Sequence, residues 1–130
     1  MLRRVRKQLI CPRCDDVVAE VVYVPWIGSL TITSVEGDQV TPSGWALQLR
    51  RVERDLALAS VEDRAQAQAR FDFVNRNVGE VIYDLRCRRG HSTLCTGHQI
   101  TRALRLTSGR WISLACLFSY SSWLHPARLP

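Results

Sequence analysis

Two close pairs of soft donor residues stand far apart in this chain. Cys11-Pro12-Arg13-Cys14 and Cys87-Arg88-Arg89-Gly90-His91 are separated by 72 residues. Two thiolates spaced as Cys-x2-Cys can grip one ion while the backbone turns sharply between them. In the second pair Gly90 precedes the histidine and permits a tight turn. Together the pairs supply three sulfurs and one imidazole, a tetrahedral donor set that suits zinc better than magnesium or calcium. If Cys11, Cys14, Cys87 and His91 share one ion, residues 11–14 and 87–91 must meet, and everything between them must loop out.

The fourth donor has alternatives. Cys95 and His98 follow His91 closely and could replace it, although His91 alone shares a compact turn with Cys87. Cys95 and Cys116 otherwise read as small buried hydrophobes, and His125 reads as solvated. Five cysteines is an odd number, so a full disulfide framework would leave one over.

A knuckle, a hairpin-like core and a second knuckle resemble the zinc-ribbon family, on the residues Cys11-Pro12-Arg13-Cys14 and Cys87-Arg88-Arg89-Gly90-His91. The chain is also similar to small zinc-ribbon proteins of actinobacteria and their phages. The resemblance covers about a quarter of the sequence and implies one structural zinc ion. The sequence departs from the family pattern in the long separation of its knuckles and in ending the second with histidine after three residues.

The remaining pattern predicts an α+β domain over 1–130, with a small antiparallel zinc-ribbon-like sheet and a helical insertion between the knuckles. Residues 17–24 are rich in β-branched side chains and read as a strand. Residues 30–35 alternate and read as a second strand, and residues 81–85 as a third that leads into Cys87. Thr41-Pro42-Ser43 looks like a helix start, after which Trp45, Leu49, Val52, Leu56 and Ala59 recur at helical spacing. Ala65, Ala69 and Phe73 continue such a stripe. One helix over 43–76 would be about 50 Å long, too long for a compact domain of this size, so a break is expected near Ser60, where Ser60-Val61-Glu62-Asp63 looks like a new capping box. Residues 100–106 suit a short helix. The ribbon halves then span about 9–35 and 80–110, the insertion about 42–78 and an aromatic tail 111–130.

Charge is distributed unevenly. Arg3, Arg4, Arg6, Lys7 and Arg13 precede any acid, all twelve acids fall within residues 15–84, and seven arginines with no acid follow. The ratio of 17 arginines to one lysine is explained more simply by GC-rich codon usage than by selection. The layout is more telling. A zinc ion joining the knuckles would gather Arg4, Arg6, Lys7 and Arg13 near Arg88 and Arg89, with Arg102 and Arg105 close by. Such a basic face suits phosphate backbones, with Gln99 near bases. The expected function is therefore a non-enzymatic zinc-binding module that contacts DNA or RNA. The competing expectation is that these arginines pair with acids of the insertion.

A protein-interaction adaptor or inhibitor is the alternative, acting through the insertion or the aromatics Trp111, Phe118, Tyr120 and Trp123. Thiol redox chemistry at Cys11 and Cys14 is a minor one. Cys-Pro-x-Cys resembles a glutaredoxin-type motif, but that chemistry wants a helix after the cysteine, and Asp15 and Asp16 would raise a thiol pKa. No nucleophile–base pair stands at recognisable spacing, and Ser92 and Thr93 read as strand or turn residues. No stretch reaches the ~20 apolar residues of a membrane span, and no signal-peptide-like run precedes Cys11, so a cytoplasmic protein is expected. The sequence leaves oligomeric state open.

Overall fold

The computed structural model describes residues 3–117. Its elements run β1 (Val5–Ile10), β2 (Val17–Val24), β3 (Ser29–Ser34), α1 (Trp45–Leu58), α2 (Arg64–Arg76), β4 (Ile82–Arg86), β5 (Ser92–Thr96), α3 (Gly97–Leu106) and β6 (Trp111–Ser113), and a further helical stretch is entered at Ala115. The class is α+β, as expected, but the sheet is not a minimal antiparallel ribbon. Four strands lie in the order β3-β2-β1-β6, and β4 and β5 form a separate hairpin. β1 pairs antiparallel with β2 but parallel with β6, so the larger sheet is mixed. His125 and the tail aromatics Phe118, Tyr120 and Trp123 lie outside the described residues.

The hairpin is the centre of the fold, because its two faces serve two cores. Tyr83, Leu85 and Cys95 face the larger core with Leu9, Val21 and Ile32 of the sheet and Ile100 and Leu104 of α3. Ile82 and Leu94 face the other way, onto Val52, Phe73 and Val74 of the helical pair. Alternation of side chains along a strand produces this division. The hairpin therefore positions Cys87, which follows β4 directly, between sheet and helices.

The two helices pack as a pair, with the break where it was expected. The indole N–H of Trp45, at the start of α1, donates to the Val74 carbonyl near the end of α2 at 2.8 Å, so the helices run antiparallel. Ser60 and Asp63 exchange hydrogen bonds in the connecting turn, but α2 begins only at Arg64 and its N-cap makes no side-chain bond. The stripe on α2 is also displaced. Ala67, Phe73 and Val74 are buried, whereas Ala65 and Ala69 are exposed. The start of α1 differs for a physical reason: Ser43 exchanges two main-chain hydrogen bonds with Ile82, both 2.9 Å, which holds it extended and delays the helix to Trp45. α3 begins earlier than expected because Thr96 and Gln99 form a full capping box.

Lys7 is a core-facing residue. Val5, Lys7 and Leu9 alternate inward on β1, and Lys7 is only 7% exposed. Its ammonium donates to the Thr107 carbonyl at 2.8 Å and lies 3.4 Å from the hydroxyl. A cation there also meets the negative end of α3. Lys7→Ala is expected to leave that carbonyl unpaired and a small void, costing about 1–3 kcal/mol in denaturant unfolding.

Candidate metal centre

The first knuckle is set by the end of β1. The β1–β2 register shifts between Leu9 and Ile10, and Cys11 then leaves the strand. The turn closes as the Cys11 N–H donates to the Asp16 carbonyl at 3.0 Å and the Asp15 N–H donates to the Cys11 carbonyl at 2.9 Å. Asp15 takes a left-handed conformation, φ 59°, which aspartate tolerates better than most residues. The second knuckle closes through Cys87 N–H to the His91 carbonyl, 3.0 Å, and Gly90 N–H to the Cys87 carbonyl, 2.9 Å. Gly90 sits at φ 87°, and a Cβ there would meet nothing within 4 Å, so glycine is needed for conformation and not for space.

These turns bring Cys11, Cys14, Cys87 and His91 together, with all four donor atoms within 4.8 Å of one another. The His91 Nδ1 lies 3.7 Å from the Cys11 sulfur and 3.3 Å from the Cys87 sulfur. A tetrahedral zinc ion with ordinary bond lengths would put sulfur and nitrogen about 3.6 Å apart and two sulfurs about 3.8 Å apart. The two measured edges bracket the first value, and Nδ1 is the ring nitrogen turned toward the sulfurs. Cys11 and Cys87 are buried, Cys14 and His91 half-buried. The cluster could hold a metal ion such as zinc.

Its environment suits thiolates unevenly. The Cys87 thiol is depressed: burial pushes it up, but the main-chain N–H groups of His91 and Arg89, with the Cys14 and Cys11 thiols, outweigh this. The His91 N–H lies 3.3 Å from that sulfur. Cys14 goes the other way. The Asp16 main-chain N–H lowers it, yet burial and the crowding of Cys11 and Cys87 prevail and push it up to about 11. Three sulfurs this close cannot all ionise readily without a cation between them. The raised Cys14 agrees in direction with the expectation from the sequence, but the Asp15 and Asp16 carboxylates are not the cause. No helix follows Cys14; β2 does.

The alternative donors lie elsewhere. Cys95 is fully buried in the main core, paired on the hairpin with Tyr83. Burial pushes its thiol well up, and the Asp84 carboxylate adds to this. In the folded, metal-loaded protein Cys95 is therefore expected to resist alkylation at pH 8 and to react only on unfolding, which mass spectrometry of iodoacetamide-treated protein would check. His98 is exposed on α3, and Cys116 packs against the main core.

The basic residues singled out in the sequence divide into three groups. Lys7 is buried, and Arg6 donates to Glu20 at 3.1 Å. Arg4 is exposed just before β1. Arg13, Arg88 and Arg89 are exposed within the knuckles themselves, and Arg102 and Arg105 are exposed on α3. The Gln99 carbonyl oxygen accepts the Thr96 N–H at 2.9 Å, so that side chain is committed to capping α3.

One feature beside the cluster has no clear signal in the sequence. A cavity of about 230 Å³ opens beside the cluster, between the knuckles and α2. Gln66 and Arg70 line it from α2, and neither belonged to an apolar stripe.

No helix among the described residues is long and apolar enough to cross a membrane. No protein-family model matches this chain, and neither a curated protein nor a solved structure matches it.

Proposed function

We propose that this is a non-enzymatic module, held by one structural zinc ion, that binds nucleic acid through exposed arginines of its two knuckles and of α3. Four protein donors complete a tetrahedron and leave no position for water, which is the arrangement of a structural site and not of a hydrolytic one. The donors come from two separate units. Cys11 and Cys14 extend the four-stranded sheet, while Cys87 and His91 extend the hairpin. Among the described residues no main-chain hydrogen bond joins those two units, so an ion here would add a direct tie to the side-chain packing of the larger core.

The observation that carries the binding reading is the state of the arginines. Among the described residues the ion pairs are Arg6–Glu20 and Arg86–Asp84. Neither involves an acid of the helical insertion. Arg13, Arg88, Arg89, Arg102 and Arg105 are exposed, and their side chains make no ion pair or hydrogen bond among those residues. Cations left unpaired in water lose little on meeting phosphates, and each phosphate neutralised releases counterions. Affinity for a DNA or RNA oligonucleotide, measured by fluorescence anisotropy, is expected to fall steeply as salt rises. Absence of binding to both at about 50 mM salt would overturn the proposal.

A protein-binding role for the insertion has one supporting observation: Leu58 and Val61, at the turn between α1 and α2, are 75% and 88% exposed. Capture of a partner that Leu58→Asp abolishes would favour that role.

A further inference from the structure

We propose that the cavity beside the metal centre is a site for one unstacked nucleotide, with the base on its apolar floor and the phosphate at its arginine rim. As an account of how a strand is gripped, this rests on the nucleic-acid function proposed above. The cavity's apolar lining includes the buried Phe73 and Leu94, together with Ala69 and Pro12. An aromatic and aliphatic surface takes the flat face of a base with little regard to sequence. At about 230 Å³ the cavity is smaller than most drug-sized sites, which run to about 300–1,000 Å³, and it suits a single nucleotide and not a longer ligand.

The rim is one-sided in charge. Arg13 and Arg70 are its charged residues, and no carboxylate lines the cavity. Arg70 is held in place: its Nη1 donates to the Ser92 hydroxyl at 2.8 Å, and that hydroxyl donates to Asp84. Its Nε and Nη2 keep their donors for a ligand. Arg13 is free of any partner among the described residues and extends from the first knuckle, so it reaches both this rim and the exposed basic surface. Gln66 adds an amide that can both donate and accept, as reading the edge of a base requires. Aromatic floor, amide and paired cations together match a nucleoside phosphate better than they match inorganic phosphate or a neutral apolar molecule.

The test uses the zinc-loaded full chain, titrated separately with AMP, UMP, inorganic phosphate and a homopolymer oligonucleotide while amide NMR shifts are followed. AMP or UMP is expected to bind saturably with a Kd of about 1 mM or tighter, moving the amides of Gln66, Arg70, Thr93 and Leu94. Ala69→Trp, an exposed helix position that fills the cavity, is expected to weaken this at least about tenfold while zinc content is unchanged. Gln66→Ala, also exposed, should weaken it several-fold and guards against misfolding of the first variant. No shift at those amides with about 5 mM nucleotide, or the same shifts with phosphate alone, would overturn the site. If the oligonucleotide still bound in those cases, the surface arginines would keep their function. Nucleotide binding in the cavity without any oligonucleotide binding would support the site and overturn the nucleic-acid function.

Discussion

Cys14→Ser is expected to abolish stoichiometric zinc binding and to lower the melting temperature by at least about 15 °C. The reasoning starts from the separation of the two β units. Sheet and hairpin meet through side-chain packing in the larger core, with no main-chain hydrogen bond between them among the described residues. In zinc-finger peptides a structural zinc ion contributes an apparent ~10–16 kcal/mol to folding at neutral pH, as large as the whole ~5–15 kcal/mol net stability of an ordinary domain. This chain has a larger core than such peptides, so a residual fold can survive with its knuckles apart. Serine keeps the size of the side chain but supplies a poor ligand, and three donors remain. A strong chelator should have the same effect on the wild-type protein. Calorimetry with and without chelator checks both, and Cys116→Ser serves as the control that keeps its zinc. Binding should also release protons, because Cys14 is held as a neutral thiol up to about pH 11 without the ion. Zinc affinity therefore falls as pH falls, since each thiol must give up its proton to bind as a thiolate.

Replacement of Arg13, Arg88 and Arg89 together by glutamine is expected to cost about 10²-fold in affinity for an oligonucleotide at moderate salt. Phosphate contacts from Arg13, Arg88, Arg89, Arg102 and Arg105 together would give a slope of log K against log salt of about −3.5 for a single strand and −4.5 for a duplex. Removing three of them should reduce the magnitude of that slope by about 2–3 while zinc content and melting temperature stay near wild type. The controls follow from the structure. Arg6 already pairs with Glu20, so Arg6→Gln should change the slope less than any of the three. Lys7 is buried, so Lys7→Ala should lower stability and leave the slope alone. If Lys7 moved the slope as Arg88 does, the basic surface would be misplaced.

Local signals mark most of the elements and the four donors of the cluster. β2 stands out because its valines are consecutive, and the helical pair because Trp45, Leu49 and Val52 repeat at helical spacing. The four donors of the cluster stand out because they come as two closely spaced pairs. β1 is hidden by its own composition: Lys7 fills an inward position, which breaks the apolar alternation, and the buried ammonium is satisfied by Thr107, a hundred residues later, whose carbonyl accepts its hydrogen bond. β6 is three residues long and parallel to β1, a pairing set by tertiary structure that leaves no local pattern. The sequence favours His91 as the fourth donor, because it alone shares a compact turn with Cys87, while Cys95 and His98 follow closely enough to remain alternatives. Their places depend on the register of the β4–β5 hairpin, which turns Cys95 into the core, and on α3, which leaves His98 in water. The cavity was beyond the sequence for the same reason, as its walls come from the knuckles, β5 and α2.

Metal content by native mass spectrometry tests the central claim most directly, on the wild-type chain and on His91→Ala and Cys95→Ala. One zinc ion per chain is predicted for wild type and for Cys95→Ala, with loss or marked weakening in His91→Ala. A metal-free wild-type chain, or full zinc retention in His91→Ala with loss in Cys95→Ala, would contradict it.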